Sequence, residues 1–229
     1  TRYVAFMHDH PIFTGVYRAL AGLGERAGLG DLRARVLEPA RGRLLIVGLG
    51  PGHDLVHLPP AVTSVVALEP SESMRAAARS RVAATKVRGI DVEVLDARGE
   101  AIPLADKSID SVLLAYVMCS VDDVDATLAE VYRVVRPGGA VCTLEHVRAQ
   151  PDSWHARAQR FVRPWWPRLA GGCQVDRDAL AALAKAGFEV SGIATTTIAN
   201  LPPVWSKFVE RSNVSSSASS SPFTAIRSA

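Results

Sequence analysis

Three glycines stand at alternate positions directly after an apolar run, in the stretch LLIVGLGPGHD from Leu44 to Asp54. A strand, a glycine turn and a short helix form the arrangement by which a backbone approaches a nucleotide-like ligand. Gly48 would allow the sharp turn, while Gly50 and Gly52 would let the ligand come close because they carry no side chain. The other interpretation is a tight strand–helix turn that binds nothing.

A carboxylate follows the next apolar run, at Glu69 in the stretch VVALEPS. The number of residues between the glycines and Glu69 is about that found where an acidic side chain accepts the two hydroxyls of a ribose. A carboxylate there repels a ribose phosphate, which disfavours NADP. The dinucleotide pattern G-x-G-x-x-G is not met, since His53 occupies the position of its third glycine. Alternatively, Glu69 is only a negative charge before the helix that Ser71 opens.

Helical and strand patterns alternate along the chain, which is typical of a doubly wound α/β sheet with crossover helices. Seven strands are expected, the seventh antiparallel because the connection before it is too short for a helical crossover. The turn RPGG should end the third main helix, since proline cannot continue it. One or two helices are expected within 11–35, broken near Gly22, Gly24, Gly28 and Gly30, and further helices are expected at 71–86, 122–135 and 176–187. Strands are expected at 43–47, 62–68, 91–97, 108–118, 140–147, 188–198 and 201–211.

Composition divides the chain into three parts. Residues 1–40 are expected to form an N-terminal helical cap, 41–211 the α/β domain, and 212–229 a Ser-rich flexible tail. Within the domain, the segment from 149 to 172 interrupts the rhythm and carries Trp154, Trp165 and Trp166. Aromatic residues more often belong to the hydrophobic core. The position of this segment after the fifth strand instead favours an aromatic-rich lid that covers a substrate.

Composition and charge exclude several classes of protein. The net charge is +3 without a block of Lys or Arg, which argues against binding to nucleic acid. Three scattered cysteines without a CxxC pair argue against a disulfide framework or structural zinc, and they fit a reducing cytoplasm. No apolar run approaches the ~20 residues that a membrane span needs. His8, Asp9 and His10 are interpreted as surface residues, so no metal is expected.

Four ordered motifs, VGLGPG, ALEPS, LDARGEAIPLADKSIDSVLLAYV and VYRVVRPGGAV, resemble those of the class I S-adenosylmethionine-dependent methyltransferases of the ubiquinone-methyltransferase-like type. The resemblance covers residues 40–210 and implies a Rossmann-like fold with S-adenosylmethionine as the cofactor. It implies that Glu69 holds the ribose hydroxyls and that Asp96 accepts a hydrogen bond from the adenine amino group. Leu49 stands where small or polar residues are frequent in the family. The implied cofactor contacts are Gly48, Gly50, Gly52, Glu69, Pro70, Met74, Asp96, Ala97, Tyr116 and Tyr17.

A closer resemblance lies downstream. The stretches VMCSVDD, RPGGAVCTLEHV, WHARAQRFVRPWWPRLAGGCQVDRDAL and GFEV are similar to the methyltransferase-like-seven thiol methyltransferases and their bacterial relatives. This resemblance implies a small-molecule thiol as the methyl acceptor, while the membrane anchor of the animal members is not expected here. The residues expected to line the acceptor pocket are Met118, Cys119, Trp154, Trp165 and Trp166.

His146 is the candidate catalytic residue. It lies at the carboxyl end of the fifth strand, where open α/β sheets bind their ligands, and an imidazole there suits a general base. The alternative is a capping imidazole, and Glu145 would either orient it or form a plain salt bridge.

Two other functions stay open from the sequence. One is an O-, N- or C-methyltransferase for another small molecule, and the other is a cofactor-binding protein without turnover. An NAD-dependent oxidoreductase conflicts with the glycine spacing and with the RPGG turn. The oligomeric state is left open.

Overall fold

The computed structural model describes residues 22, 24–146, 152–169, 172–188, 194–197 and 207–211. Within these ranges the strands are β1 Gly42–Val47, β2 Val62–Leu68, β3 Asp91–Leu95, β4 Ile109–Ala115, β5 Val135–His146, β6 Ala194–Thr197 and β7 Lys207–Arg211. The α-helices are α1 Gly30–Leu37, α2 Glu72–Val87, α3 Val124–Val134, α4 Trp154–Val162, α5 Trp166–Leu169 and α6 Ala179–Lys185. A π-helical turn, Glu25–Leu29, precedes α1, and a 3₁₀ turn, His53–His57, follows β1.

The strands form one sheet in the order β3-β2-β1-β4-β5-β7-β6. β1 to β5 run parallel to one another, and β7 is antiparallel to both β5 and β6. The predicted α/β fold with a parallel sheet is confirmed. β2 lies on one side of β1 and β4 on the other, so the strand order reverses its direction between β1 and β4. The carboxyl ends of these two strands therefore border the crevice in which such sheets bind ligands.

The core lies on both faces of the sheet. Leu44 and Ile46 of β1 belong to one buried cluster, which α1 also joins. Leu45 and Val47 point the other way into a second cluster, to which α3 and α6 contribute. Because both faces of β1 are covered, its sequence is a continuous apolar run instead of an alternating one.

The predicted boundaries of β4 and β5 are wrong. β4 ends at Ala115 instead of 118, because Tyr116 has a φ of 59° and leaves the extended conformation. β5 begins at Val135 instead of Ala140, since Val135 already pairs with Ile109 of β4. The residues RPGG therefore form an irregularity inside the strand and not a turn before it.

No helix in the described ranges is long and apolar enough to cross a membrane. The part of the predicted first helix that contains Tyr17, the cluster at residues 8–10 and the tail at 212–229 lie outside the described residues, whereas residues 24–35 of that helix are described. Of the predicted lid, residues 152–169 and 172 are described.

Candidate active site

The glycine turn after β1 depends on backbone conformations that glycine adopts without strain. Gly48, Gly50 and Gly52 have φ values of +73°, +53° and +80°. The N–H groups of Gly48 and Leu49 both donate to the carbonyl of Leu68 at 2.9 Å, which ties the turn to the end of β2. A Cβ built on Gly50 would meet none of the described atoms within 4 Å, so there is room beside this backbone. The sequence prediction of an open glycine turn thus matches the local geometry.

Glu69 follows β2 and its carboxylate faces the glycine turn. One oxygen accepts the N–H of Gly50 at 2.7 Å, and the other accepts the N–H of Ser71 at 2.9 Å. The side chain is 7% exposed, and burial raises the pKa of Glu69 although these two hydrogen bonds oppose the shift. Each carboxylate oxygen has a further lone pair. The group can therefore hold the turn and still accept two hydroxyls from a ligand.

The start of α2 lies beside this carboxylate. The hydroxyl of Ser71 accepts the N–H of Met74 at 3.3 Å, which confirms Ser71 as the predicted N-cap. Arg75 donates to the carbonyl of Glu69 at 2.7 Å and forms an ion pair with Asp96 at 3.2 Å. Asp96 comes directly after β3, and its side chain is 69% exposed. Met74 is buried, whereas the other two predicted contacts in this region are half-buried, namely Pro70 and Ala97.

The turn after β4 is held by a carboxylate from the neighbouring strand. Glu145, 1% exposed, accepts the N–H groups of Val117 at 2.7 Å and Met118 at 2.8 Å through one oxygen. Arg177 donates to the carbonyl of Met118 at 2.7 Å. The turn thus has an acidic partner for its N–H groups and a basic partner for its carbonyl. Met118 and the adjacent Cys119 are buried.

A buried ion-pair network covers the other side of the site, and the sequence analysis missed it. Arg33 of α1 is 5% exposed and pairs with Asp54 at 2.6 Å and with Glu25 at 2.8 Å. Its guanidinium also lies 5.2 Å from the ring centroid of Tyr116, within the range of a cation–π interaction. Arg33 stands four residues after Leu29 and four before Leu37 on the apolar stripe of the helix. That spacing is the signal that it is buried.

The aromatic residues of the predicted lid differ in exposure. Trp154 is 57% exposed and stacks on His155 at 4.1 Å between ring centroids. Trp165 is 39% exposed and contacts Trp166 edge-on at 5.9 Å. Trp166 is half-buried and packs against the cluster that contains Cys119. The base of this segment is therefore anchored at the carboxyl end of β4, while its other tryptophans face outward.

His146 is the last residue of β5, where its backbone pairs with Phe208 of β7. Its side chain lies outside the described part of the molecule, as does all of Tyr17. Its catalytic role therefore stays a prediction. In the described ranges no group of three His, Cys, Asp or Glu side chains is placed to hold a metal ion.

These residues fit the cofactor that the resemblance implies. A ribose needs a pair of acceptor lone pairs for its two hydroxyls, which Glu69 has, and an adenine amino group needs an acceptor such as Asp96. The methionine part needs open space beside a backbone, as at Gly50. Glu69, Asp96 and Gly50 all lie at the carboxyl ends of neighbouring parallel strands, as expected for a ligand site in such a sheet.

Comparison with known proteins places the chain among methyltransferases. Residues 45–143 match the family Methyltransf_11, a methyltransferase domain. The chain is 30% identical over 176 residues to thiol S-methyltransferase TMT1A of Homo sapiens, covering 77% of this chain and 72% of that protein. It is also 30% identical over 158 residues to the ubiquinone/menaquinone biosynthesis C-methyltransferase UbiE of Desulfotalea psychrophila, covering 68% of this chain and 62% of that one.

The fold is likewise similar to solved structures. The crystal structure of an S-adenosylmethionine-dependent methyltransferase from Thermotoga maritima superposes with a TM-score of 0.57 at 21% identity. The match covers 89% of this chain and 95% of that one.

Proposed function

This chain belongs to the class I S-adenosylmethionine-dependent methyltransferases, and on that premise we propose that it methylates the sulfur of a small-molecule thiol. It is an enzyme, and S-adenosylmethionine is its methyl donor. The observation that carries the proposed acceptor is the similarity to a thiol S-methyltransferase over 77% of the chain. The similarity to UbiE, a C-methyltransferase, keeps a carbon acceptor as the second candidate.

The described surroundings of the crevice suit a reaction in which charge disappears. The bound cofactor supplies a methyl group on a positively charged sulfur. When a thiolate attacks that methyl group, opposite charges cancel, so the transition state is less charged than the reactants. A pocket that excludes water should favour such a step. The side chains of Met118, Cys119 and Trp166, which pack near the end of β4, are mainly apolar, and this supports the assignment.

The main obstacle is the formation of the thiolate. A free thiol has a pKa of about 8.5, and an apolar pocket raises it further. The positive sulfur of the cofactor offsets part of this cost. We assign the remaining role to His146, which would take the proton from the thiol at the carboxyl end of β5.

Replacing His146 by alanine is expected to lower turnover at pH 7 by about a hundredfold or more, since a general base typically contributes a factor of about 10²–10⁴. Activity should recover in part as the pH rises, because solvent then ionises more of the thiol without help. The measurement is the pH profile of kcat with a fixed thiol from pH 6.5 to about pH 9.5, spanning the ordinary thiol pKa. A variant that keeps full turnover at pH 7 would remove His146 from the mechanism whatever the acceptor is.

We further propose that the segment 150–172 and the N-terminal helices form a lid over the acceptor. Trp165→Ala should raise the KM for the acceptor at least fivefold and leave the KM for S-adenosylmethionine unchanged. Trp165 is 39% exposed, so little loss of stability is expected from its truncation. Val87→Ala, on an 89% exposed side chain at the end of α2, is the matched control. Equal changes in both KM values would contradict the lid.

The acceptor is tested by a screen that follows the release of S-adenosylhomocysteine. The panel should contain aliphatic thiols, aromatic thiols, phenols, amines and quinol-like carbon acceptors of similar size. Turnover confined to thiols is the expected result. Methylation of phenols, amines or carbon acceptors without any thiol would overturn the proposed substrate class and leave the methyltransferase assignment intact.

A further inference from the structure

Two of the three cysteines meet where the turn after β4 contacts the segment after α5. Cys119 and Cys173 are not part of a disulfide, are 4% and 7% exposed, and belong to the same buried cluster. The N–H of Gln174 donates to the carbonyl of Cys119 at 2.8 Å, so the two backbones lie side by side. A backbone hydrogen bond next to both cysteines is compatible with the Cα separation of less than about 7 Å that a disulfide needs.

Cys173 is also within reach of small solutes. It lines a cavity of about 110 Å³ together with Trp166 and the ion pair of Arg163 and Asp176. A single water needs roughly 10–15 Å³ of such volume, so a molecule with two oxygen atoms fits. A bulky disulfide such as oxidised glutathione does not. The relevant oxidant is therefore a small one.

The surroundings of Cys173 favour its thiolate. A hydrogen bond from Cys119 lowers the pKa of Cys173, against the effect of burial. The guanidinium of Arg177 also lowers it, whereas Glu145 opposes this. The thiolate is the form that oxidants attack most readily.

We propose that Cys119 and Cys173 form a dithiol that hydrogen peroxide converts into a disulfide. The Cys173 thiolate attacks one peroxide oxygen, the O–O bond breaks, and hydroxide leaves while Cys173 becomes a sulfenic acid. The Cys119 sulfur then attacks the Cys173 sulfur, the S–O bond breaks, and the hydroxyl leaves as water with the proton of Cys119. The hydroxide takes up the proton that Cys173 had released. Two electrons pass from the thiols to the peroxide, which yields two molecules of water.

The disulfide joins two elements that border the crevice. Cys119 belongs to the turn that Glu145 and Arg177 hold at the end of β4. Cys173 follows α5, whose Trp166 packs on the same cluster. Oxidation therefore locks the base of the aromatic segment onto the sheet. This inference is independent of the identity of the methyl acceptor.

The experiment treats the reduced full-length protein with hydrogen peroxide, blocks remaining thiols with N-ethylmaleimide and maps the cysteines by mass spectrometry. The expected product is a Cys119–Cys173 cross-link that dithiothreitol reverses. Cys142 serves as the internal control, because its complete burial in β5 raises the pKa of that thiol to about 12. It should stay reduced. In the oxidised protein, the amide of Gln174 should exchange its hydrogen at least tenfold more slowly.

A matched pair of variants separates the two steps. Cys119→Ser removes the second thiol, so the sulfenic acid on Cys173 should persist, and dimedone added together with denaturant should label it. Cys142→Ala should still form the cross-link. Oxidation of Cys173 to sulfinic acid without a cross-link in the wild-type protein would overturn the proposal, as would equal oxidation of Cys142. The wild-type mapping decides the outcome even if a variant fails to fold.

Discussion

Replacement of Glu69 by alanine is expected to weaken S-adenosylmethionine binding at least tenfold. A hydrogen bond to a charged acceptor contributes about 1.5–3 kcal/mol, and about 1.4 kcal/mol corresponds to a factor of ten in affinity. Loss of a single ribose hydroxyl contact therefore reaches tenfold, and loss of both exceeds it. The measurement is isothermal titration calorimetry with S-adenosylmethionine and with S-adenosylhomocysteine.

The same substitution also removes a structural acceptor, so stability needs its own control. Glu69 accepts the N–H groups of Gly50 and Ser71, and both would lose this partner in the alanine variant. Ser71→Ala is the matched control, because it removes the N-cap of α2 at a cost of about 1 kcal/mol and leaves the carboxylate in place. Its affinity for the cofactor should stay within about threefold of wild type. Unchanged affinity in the Glu69 variant would refute the ribose assignment.

The pH dependence of binding gives a second readout of Glu69. Burial raises the pKa of this carboxyl group above its usual range. Its protonated form is a weaker acceptor and carries no charge to attract the positively charged cofactor. Affinity should therefore be full at neutral pH and fall as the pH drops through the raised pKa, which lies above the usual glutamate value. In Glu69→Gln this dependence should disappear, which titrations from pH 7.5 down to about pH 4, past the ordinary glutamate pKa of about 4.3, would show.

Local signals explain which parts of the site could be predicted from the sequence. The three glycines adopt positive φ values that other residues rarely tolerate, so their spacing alone marked the turn. Ser71 stands directly before a helical pattern, and it caps the helix as predicted. Each of these features depends on residues within a few positions of one another.

The errors arise where distant residues decide the structure. The apolar run SIDSVLLAYVM predicts a strand to Met118, but the strand ends at Ala115. The chain leaves the strand at Tyr116, and Glu145, which lies 27 residues away from Met118, then accepts the N–H of Met118 in place of a strand partner. Arg33 and Asp54, 21 residues apart, were likewise missed as an ion pair, because the apolar stripe around Arg33 indicates burial but not which distant carboxylate meets it.

Substitution of Arg33 by methionine is expected to lower the free energy of unfolding by about 3 kcal/mol, the lower end of the range for breaking a buried ion pair from one side. Methionine keeps the aliphatic bulk but leaves the carboxylates of Asp54 and Glu25 without this cation. Asp54 is 4% exposed, so hydration can replace little of the interaction that its carboxylate loses. Chemical denaturation followed by circular dichroism measures the change. Arg35→Met, on an exposed side chain of the same helix, should change stability by less than about 0.5 kcal/mol.

The same network should also affect cofactor binding, because Arg33 joins three elements of the site. Asp54 follows the glycine turn, Tyr116 lies at the end of β4, and Arg33 contacts both from α1. In Arg33→Met, the affinity for S-adenosylmethionine should fall about tenfold, which is the effect of losing about one charge-assisted contact. The affinity is measured under conditions in which the variant stays folded. The double variant Arg33→Met with Asp54→Asn removes the uncompensated charge as well, so it should regain part of the stability and little of the affinity.

If Arg33→Met were no less stable than Arg35→Met, the ion pair would not be what fixes α1 to the glycine turn. If it lost stability but bound the cofactor normally, the network would support the fold without positioning the site.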